Sequence, residues 1–197
     1  MNADLFSELV EMKRRDLEVR ARLVGEGRLY GEYAEEMQQV HIENAHRLDA
    51  IVTKYGWPNL SLVELEGTRA AWLIAQHSIC TPGLQRKFLA LMTEAAKAGE
   101  VPGLQVAFLT DRVRAAEGRP QLYGTVLDWN ESGELSCEVE DPPNLDMRRQ
   151  EVGLPAFADD LASHRREVEA EGGRPPANLV AWRHGRLEWA KRVGWID

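Results

Sequence analysis

The chain has 197 residues, 44% of them hydrophobic and 28% charged, with a formal net charge of −8. That is enough polypeptide for one ordinary domain, or one and a half, burying about two-thirds of its unfolded surface without a disulfide or metal staple. The acidic balance excludes a nucleic-acid surface, because phosphate affinity comes from clustered Lys and Arg that release counterions.

Residues 4–24 read as a helix whose apolar stripe is Leu5, Leu9, Met12, Val19 and Leu23, interrupted by Asp16. "GEGRLYGE" carries glycines and no periodicity, so it ends that pattern. A second helix over 32–55 places Tyr33, Met37, Leu48, Ile51 and Tyr55 on one face, with His41 and Asn44 filling the missing steps. The two helices are expected to form an antiparallel pair. "GWPNLSLVELEG" stops the second helix at Gly56, turns at Pro58 and offers Ser61 and Glu64 as a capping box for the next. That third helix contains "AAWLIAQH", apolar on nearly every side, and ends on Gln76 and His77. It is therefore expected at the centre of the fold.

"TPGLQRKFLALMTEAAKAGE" begins a fourth helix with Thr81 as N-cap and Pro82 at the first helical position. In "PGLQVAFLTDRVRAAEG" a stripe of Leu104, Ala107, Phe108 and Ala115 is interrupted by Asp111, with Arg112 at its border. After Pro120 the period changes to alternation. "QLYGTVLDW" and "ELSCEVE" flank "NESG" as a β-hairpin within 121–140, and Gln121, Tyr123, Thr125, Leu127 and Trp129 share the face expected to lie on the helices. A short helix over Leu145 to Glu151, a helix over 156–170, the linker "EGGRPPAN" and a terminal helix complete the chain.

The predicted fold is mainly α, a multi-helix bundle with one β-hairpin. Its helical domain spans 1–170, and the linker and C-terminal helix of 171–197 pack on the same domain. Cys80 and Cys137 lack zinc-type or redox spacing and read as small buried residues in a reducing compartment. Charges run through the apolar positions of "MNADLFSELVEMKRRDLEVR", and nothing approaches a run of about eighteen apolar residues. A cytoplasmic location with no signal peptide and no membrane partner is the expectation.

"HIENAHRLDAIVTKYGWP", "AAWLIAQH", "LTDRV", "EGRPQLYGT" and "EDPPNLDMRRQEVGLP", in that order, resemble an uncharacterised bacterial family, largely actinobacterial, whose domain has no assigned function. The resemblance runs from the first helix to about Leu161 and implies no activity. Members typically carry an acidic residue shortly after the Gln-His pair, where this chain reads "QHSICTPG". The resemblance therefore implies that any role of that acid in catalysis or metal binding is lost or replaced here.

Several apolar stripes interrupted by polar residues point to one buried constellation: Asp16, His41, Asn44, Gln76, His77, Asp111, Arg112, Gln121, Tyr123 and Thr125. Burying such groups costs several kcal/mol, by the usual order-of-magnitude estimate, unless they meet one another or a ligand. The residue types suit a small cofactor-independent enzyme acting on a polar or anionic small molecule or peptide. His77, Asp111 and His41 would be catalytic, with His77 as general acid or base and Asp111 or Asp16 fixing its tautomer. Arg112 would hold an anionic group, and Gln76, Asn44, Asp16, Gln121, Tyr123 and Thr125 would line the substrate. A metal held by His41, His77 and an aspartate is the weaker variant, because no HExxH or similar local motif accompanies it; no resident metal or other cofactor is expected. The competing class is a non-catalytic interaction or immunity-type protein whose buried polar network is structural. His164 and His184 sit among surface-like charges and receive no role.

Overall fold

The computed structural model describes all residues except 27 and 29–32, so the centre of the "GEGRLYGE" break and residue 32 of the second predicted helix lie outside the described residues. The fold is mainly α, with eight α-helices and one small two-stranded antiparallel sheet among the described residues. The chain divides into two compact units, Met1–Pro102 and Gly103–Asp197. Among the described residues, no helix is long and apolar enough to cross a membrane.

The first unit is built from α1 (Ala3–Gly25), α2 (Glu35–Tyr55), α3 (Leu60–His77), a 3-10 turn at Ser78–Cys80, and α4 (Pro82–Lys97). Helix α3 is the central element, packing on α1, α2 and α4, as its nearly continuous apolar sequence requires. Leu5, Leu9, Leu48, Val63, Ala70, Ala71, Ile74 and Phe88 are buried in this core. Leu23, Met37 and Val40 form a further cluster against which Val19 and Tyr33 pack. Gly67 lets α1 approach α3 closely, since a Cβ there would stand 3.3 Å from Phe6 and 2.6 Å from the Cβ of Val63.

The start of α3 differs from the Ser61/Glu64 capping box. Asn59 is the N-cap, its side chain accepting from the Leu62 amide at 2.9 Å. Ser61 instead donates its hydroxyl to Glu100 at 2.7 Å, and Glu64 sits at φ 55°, where the helix is kinked. Asparagine and serine are comparable caps, and here the asparagine holds the extended backbone the cap position needs. At the next helix Thr81 occupies the N-cap position without capping; its hydroxyl donates back to the Ser78 carbonyl at 3.0 Å.

The second unit holds α5 (Gly103–Ala116), β1 (Asp128–Trp129), β2 (Leu135–Ser136), α6 (Leu145–Glu151), α7 (Phe157–Ala170) and α8 (Leu179–Val193). The hairpin pairs Asp128 with Ser136 and Trp129 with Leu135, closed by Gly133 at φ 74°. The regular pairing is far shorter than the alternation of 121–129 predicts. Residues 122–125 turn around the carboxylate of Asp111, which takes the amide hydrogens that a sheet ladder would use. On α5 the buried positions are Gln105, Ala107, Leu109, Asp111 and Val113, whereas Leu104 of the expected stripe is exposed.

Candidate functional site

Three helices of the first unit each bring one interrupted step of an apolar stripe to a common point. Asp16 lies on the buried face of α1, His41 on that of α2, and His77 is the last residue of α3. The stripes pull these positions inward because Leu9 and Leu23, Met37 and Leu48, and Ile74 are core residues around them. The polar side chains follow and must satisfy one another.

The Asp16 carboxylate has no solvent exposure. The His77 Nδ1–H donates to its two oxygens at 2.9 and 3.0 Å, and His41 Nε2 lies 3.2 Å from Oδ2. The two imidazole rings are tilted against each other with centroids 4.7 Å apart. Burial acts to raise the pKa of Asp16, but the close polar contacts and charge attraction of His41 and His77 outweigh it and hold the group down to about 2. The carboxylate is therefore ionised at neutral pH. His41 Nε2 is buried and approaches Asp16 at an angle that forms no hydrogen bond, while its Nδ1 is hydrogen-bonded to the Tyr33 hydroxyl. His77 keeps 23% of its side chain exposed, against 8% for His41, so it is the member of the group that solvent reaches.

The end of α3 is fixed by side chains rather than by a glycine cap. Buried Gln85 of α4 donates its amide to the carbonyls of Ala75 and Gln76 at 2.6 and 3.0 Å, and Ser78 donates to the Ile74 carbonyl at 2.7 Å. These bonds satisfy carbonyls that a helix terminus otherwise leaves open, and they set the position of His77. Gln76 is itself buried beside it. Asn44, one turn beyond His41, reaches the Met12 carbonyl of α1 at 3.5 Å.

The remaining candidates belong to the second unit. Asp111, also fully buried, accepts from the amides of Leu122 at 2.7 Å, Tyr123 at 3.1 Å and Thr125 at 2.9 Å, and from the Thr125 hydroxyl at 3.0 Å. Gln121 closes the same loop on itself, donating to the Val126 carbonyl and accepting from the Val126 amide. Asp111 is thus the hub of a loop, and the role of orienting His77 falls to Asp16. Arg112 lies half-buried on α5. Burial, with the charge of Asp111, raises the Tyr123 phenol, so this side chain stays neutral.

Sequence reasoning missed three residues that matter. Tyr33 reads as a packing residue of α2, yet it lies before the helix begins and holds His41. Gln85 falls outside the helical spacing of Leu84, Phe88, Leu91 and Ala95 in the fourth helix. Arg149 is fully buried, donating to the carbonyls of Tyr123 and, at 2.7 Å, Pro155, and pairing with Asp160 at 2.5 Å. Its only sequence signal is the position of "RR" just before "QEVGLP". Cys80 and Cys137 are half-buried; burial, with the charge of Asp111, pushes the Cys137 thiol up to about 11, which makes it a poor nucleophile.

No curated protein and no solved structure matches the chain. A family model does match, over residues 3–180, a span that contains both polar clusters; the chain belongs to a family of unknown function, DUF6624.

Proposed function

We propose that Asp16, His41 and His77 form the acid–base centre of an enzyme acting on a polar small molecule or peptide, in the reducing interior of a bacterial cell. One observation carries this reading: a fully buried, ionised carboxylate grips Nδ1 of an imidazole that is itself reached by solvent. A carboxylate on Nδ1–H fixes the tautomer in which Nε2 is the proton-accepting atom, and it stabilises the imidazolium once the proton arrives. His41, held by Tyr33, completes the polar wall behind this dyad. The anionic-substrate expectation rested on Arg112, which belongs to the other unit; the present reading stands without it.

The competing class, a protein whose buried polar network is purely structural, is favoured by one observation in the second unit. There the Asp111 carboxylate is already surrounded by protein donors.

The test is His77→Gln. The amide retains part of the hydrogen bonding to Asp16, so the variant should melt close to wild type while losing turnover across a panel of ester, amide and phosphoester substrates. A loss of about 1 to 3 kcal/mol in equilibrium denaturation, as for a broken buried hydrogen bond, with turnover retained, would return the histidine to a packing role.

A further inference from the structure

The same three side chains have a donor arrangement that proton transfer alone does not require. One ligand atom from each of Asp16, His41 and His77, brought by three different helices, lies within 4.8 Å of the others. From Asp16 Oδ2 the separations are 3.0 Å to His77 Nδ1 and 3.2 Å to His41 Nε2. Ligand bonds of about 2.0–2.2 Å put neighbouring donors about 3.0–3.5 Å apart around a single ion, so these distances need only side-chain adjustment. His41 supplies the second observation. It is 7% exposed, and its Nε2, aimed into the cluster, has no hydrogen-bond partner.

We propose that Asp16, His41 and His77 bind one divalent first-row transition ion of the zinc or ferrous class. Two imidazole nitrogens and one carboxylate oxygen suit these ions, whereas calcium and magnesium take all-oxygen shells. Three protein ligands leave coordination positions for water or substrate, the arrangement of an open site rather than a closed structural one. Tyr33 on Nδ1 of His41 is the outer contact that aims Nε2 at the ion, since a ligating histidine ordinarily has its other ring nitrogen hydrogen-bonded. Folding of the ion-free protein should not require the metal, because the Asp16 carboxylate already accepts from His77 Nδ1–H. This inference goes beyond the acid–base reading, which describes the ion-free form in which Asp16 holds His77 Nδ1; an ion takes that contact over.

The experiment uses the full chain stripped with chelator and titrated calorimetrically with Zn²⁺ and Co²⁺, the cobalt form also being read by visible absorption. One ion per chain is expected, with a higher melting midpoint on loading. His41→Gln, His77→Gln and Asp16→Asn should each weaken binding about a hundredfold or more, and Tyr33→Phe about tenfold. His164→Gln and His184→Gln should leave it unchanged. Absence of stoichiometric binding, or binding that follows His164 or His184 instead of the trio, overturns the proposal. Should a ligand variant fail to fold, Tyr33→Phe and the histidine-type cobalt spectrum of the wild-type chain decide the matter. Binding is read without turnover, so its failure is separate from that of the acid–base reading. Activity that survives chelator would leave the acid–base reading standing whatever the titration shows.

Discussion

Asp16 and Asp111 are both carboxylates with no solvent exposure, one in each unit, and they are satisfied by different kinds of partner. Asp111 accepts from three backbone amides and a hydroxyl within residues 122–125. None of these groups titrates near neutral pH, and the result is a fixed loop. Asp16 faces two imidazoles supplied from 25 and 61 residues along the chain. Those partners can gain or lose a proton, or turn their lone pairs to an ion. Burial alone therefore does not mark a functional carboxylate; the chemistry of what satisfies it does.

The largest effect should come from the loop hub. Asp111→Asn removes the charge and turns an amide donor toward backbone donors, so it should cost about 3 kcal/mol or more in denaturant unfolding. Faster hydrogen exchange should appear at Leu122, Tyr123 and Thr125. A cost below about 1 kcal/mol would break the comparison, because Asp111 would then not be the scaffold it resembles.

Asp16 should reveal itself through pH instead. Its folded pKa of about 2 lies below the ordinary 3.8, so as pH falls the unfolded chain takes up the proton first. The stabilisation is fully present above about pH 4 and is lost as pH falls toward about 2, a change of about 2 kcal/mol. The groups facing the carboxylate are His41 and His77, with Tyr33 behind His41. Asp16→Asn should remove this acid limb from urea midpoints measured through the window. A limb of equal size in the variant would assign it to other carboxylates.

These contrasts also show how far the sequence could be read. The polar gaps at Asp16, His41 and Asn44 in apolar stripes correctly place those side chains inside, because helical periodicity reports which face is buried. Periodicity carries no information on which buried groups meet. Pairing His77 with Asp111 or with Asp16 was accordingly open to the sequence alike, and only the contact that joins Asp16 to His77 across 61 residues separates the two. The helices over 145–151 and 156–170 appear close to where turn chemistry sets them. The strand over 121–129 shrinks because a buried carboxylate competes for its amides, a tertiary effect that alternation cannot register. Arg149 looks like any other charge on a short helix until the carbonyls of Tyr123 and Pro155 are seen around it.

The smallest effect on stability, and the sharpest on the comparison, should come from deleting one hydroxyl at each centre. Thr125→Val removes a donor from Asp111 while three backbone amides remain, so it should cost about 1 kcal/mol and alter nothing else. Tyr33→Phe removes the partner of His41 Nδ1 at a site only half-buried. Its cost should be smaller, about 0.5 kcal/mol, because water can replace the phenol there. The imidazole, however, loses the contact that selects its tautomer, so the ring-nitrogen shifts of His41 should move in nitrogen-15 spectra while those of His164 stay in place. A loop centre and a reactive centre then separate on one measurement each: the threonine change is read in stability and the tyrosine change in the tautomer of His41. If Tyr33→Phe instead costs as much as Thr125→Val and leaves the His41 nitrogens unmoved, Tyr33 is a packing residue. The Asp16 cluster would then be held together in the same way as the Asp111 loop.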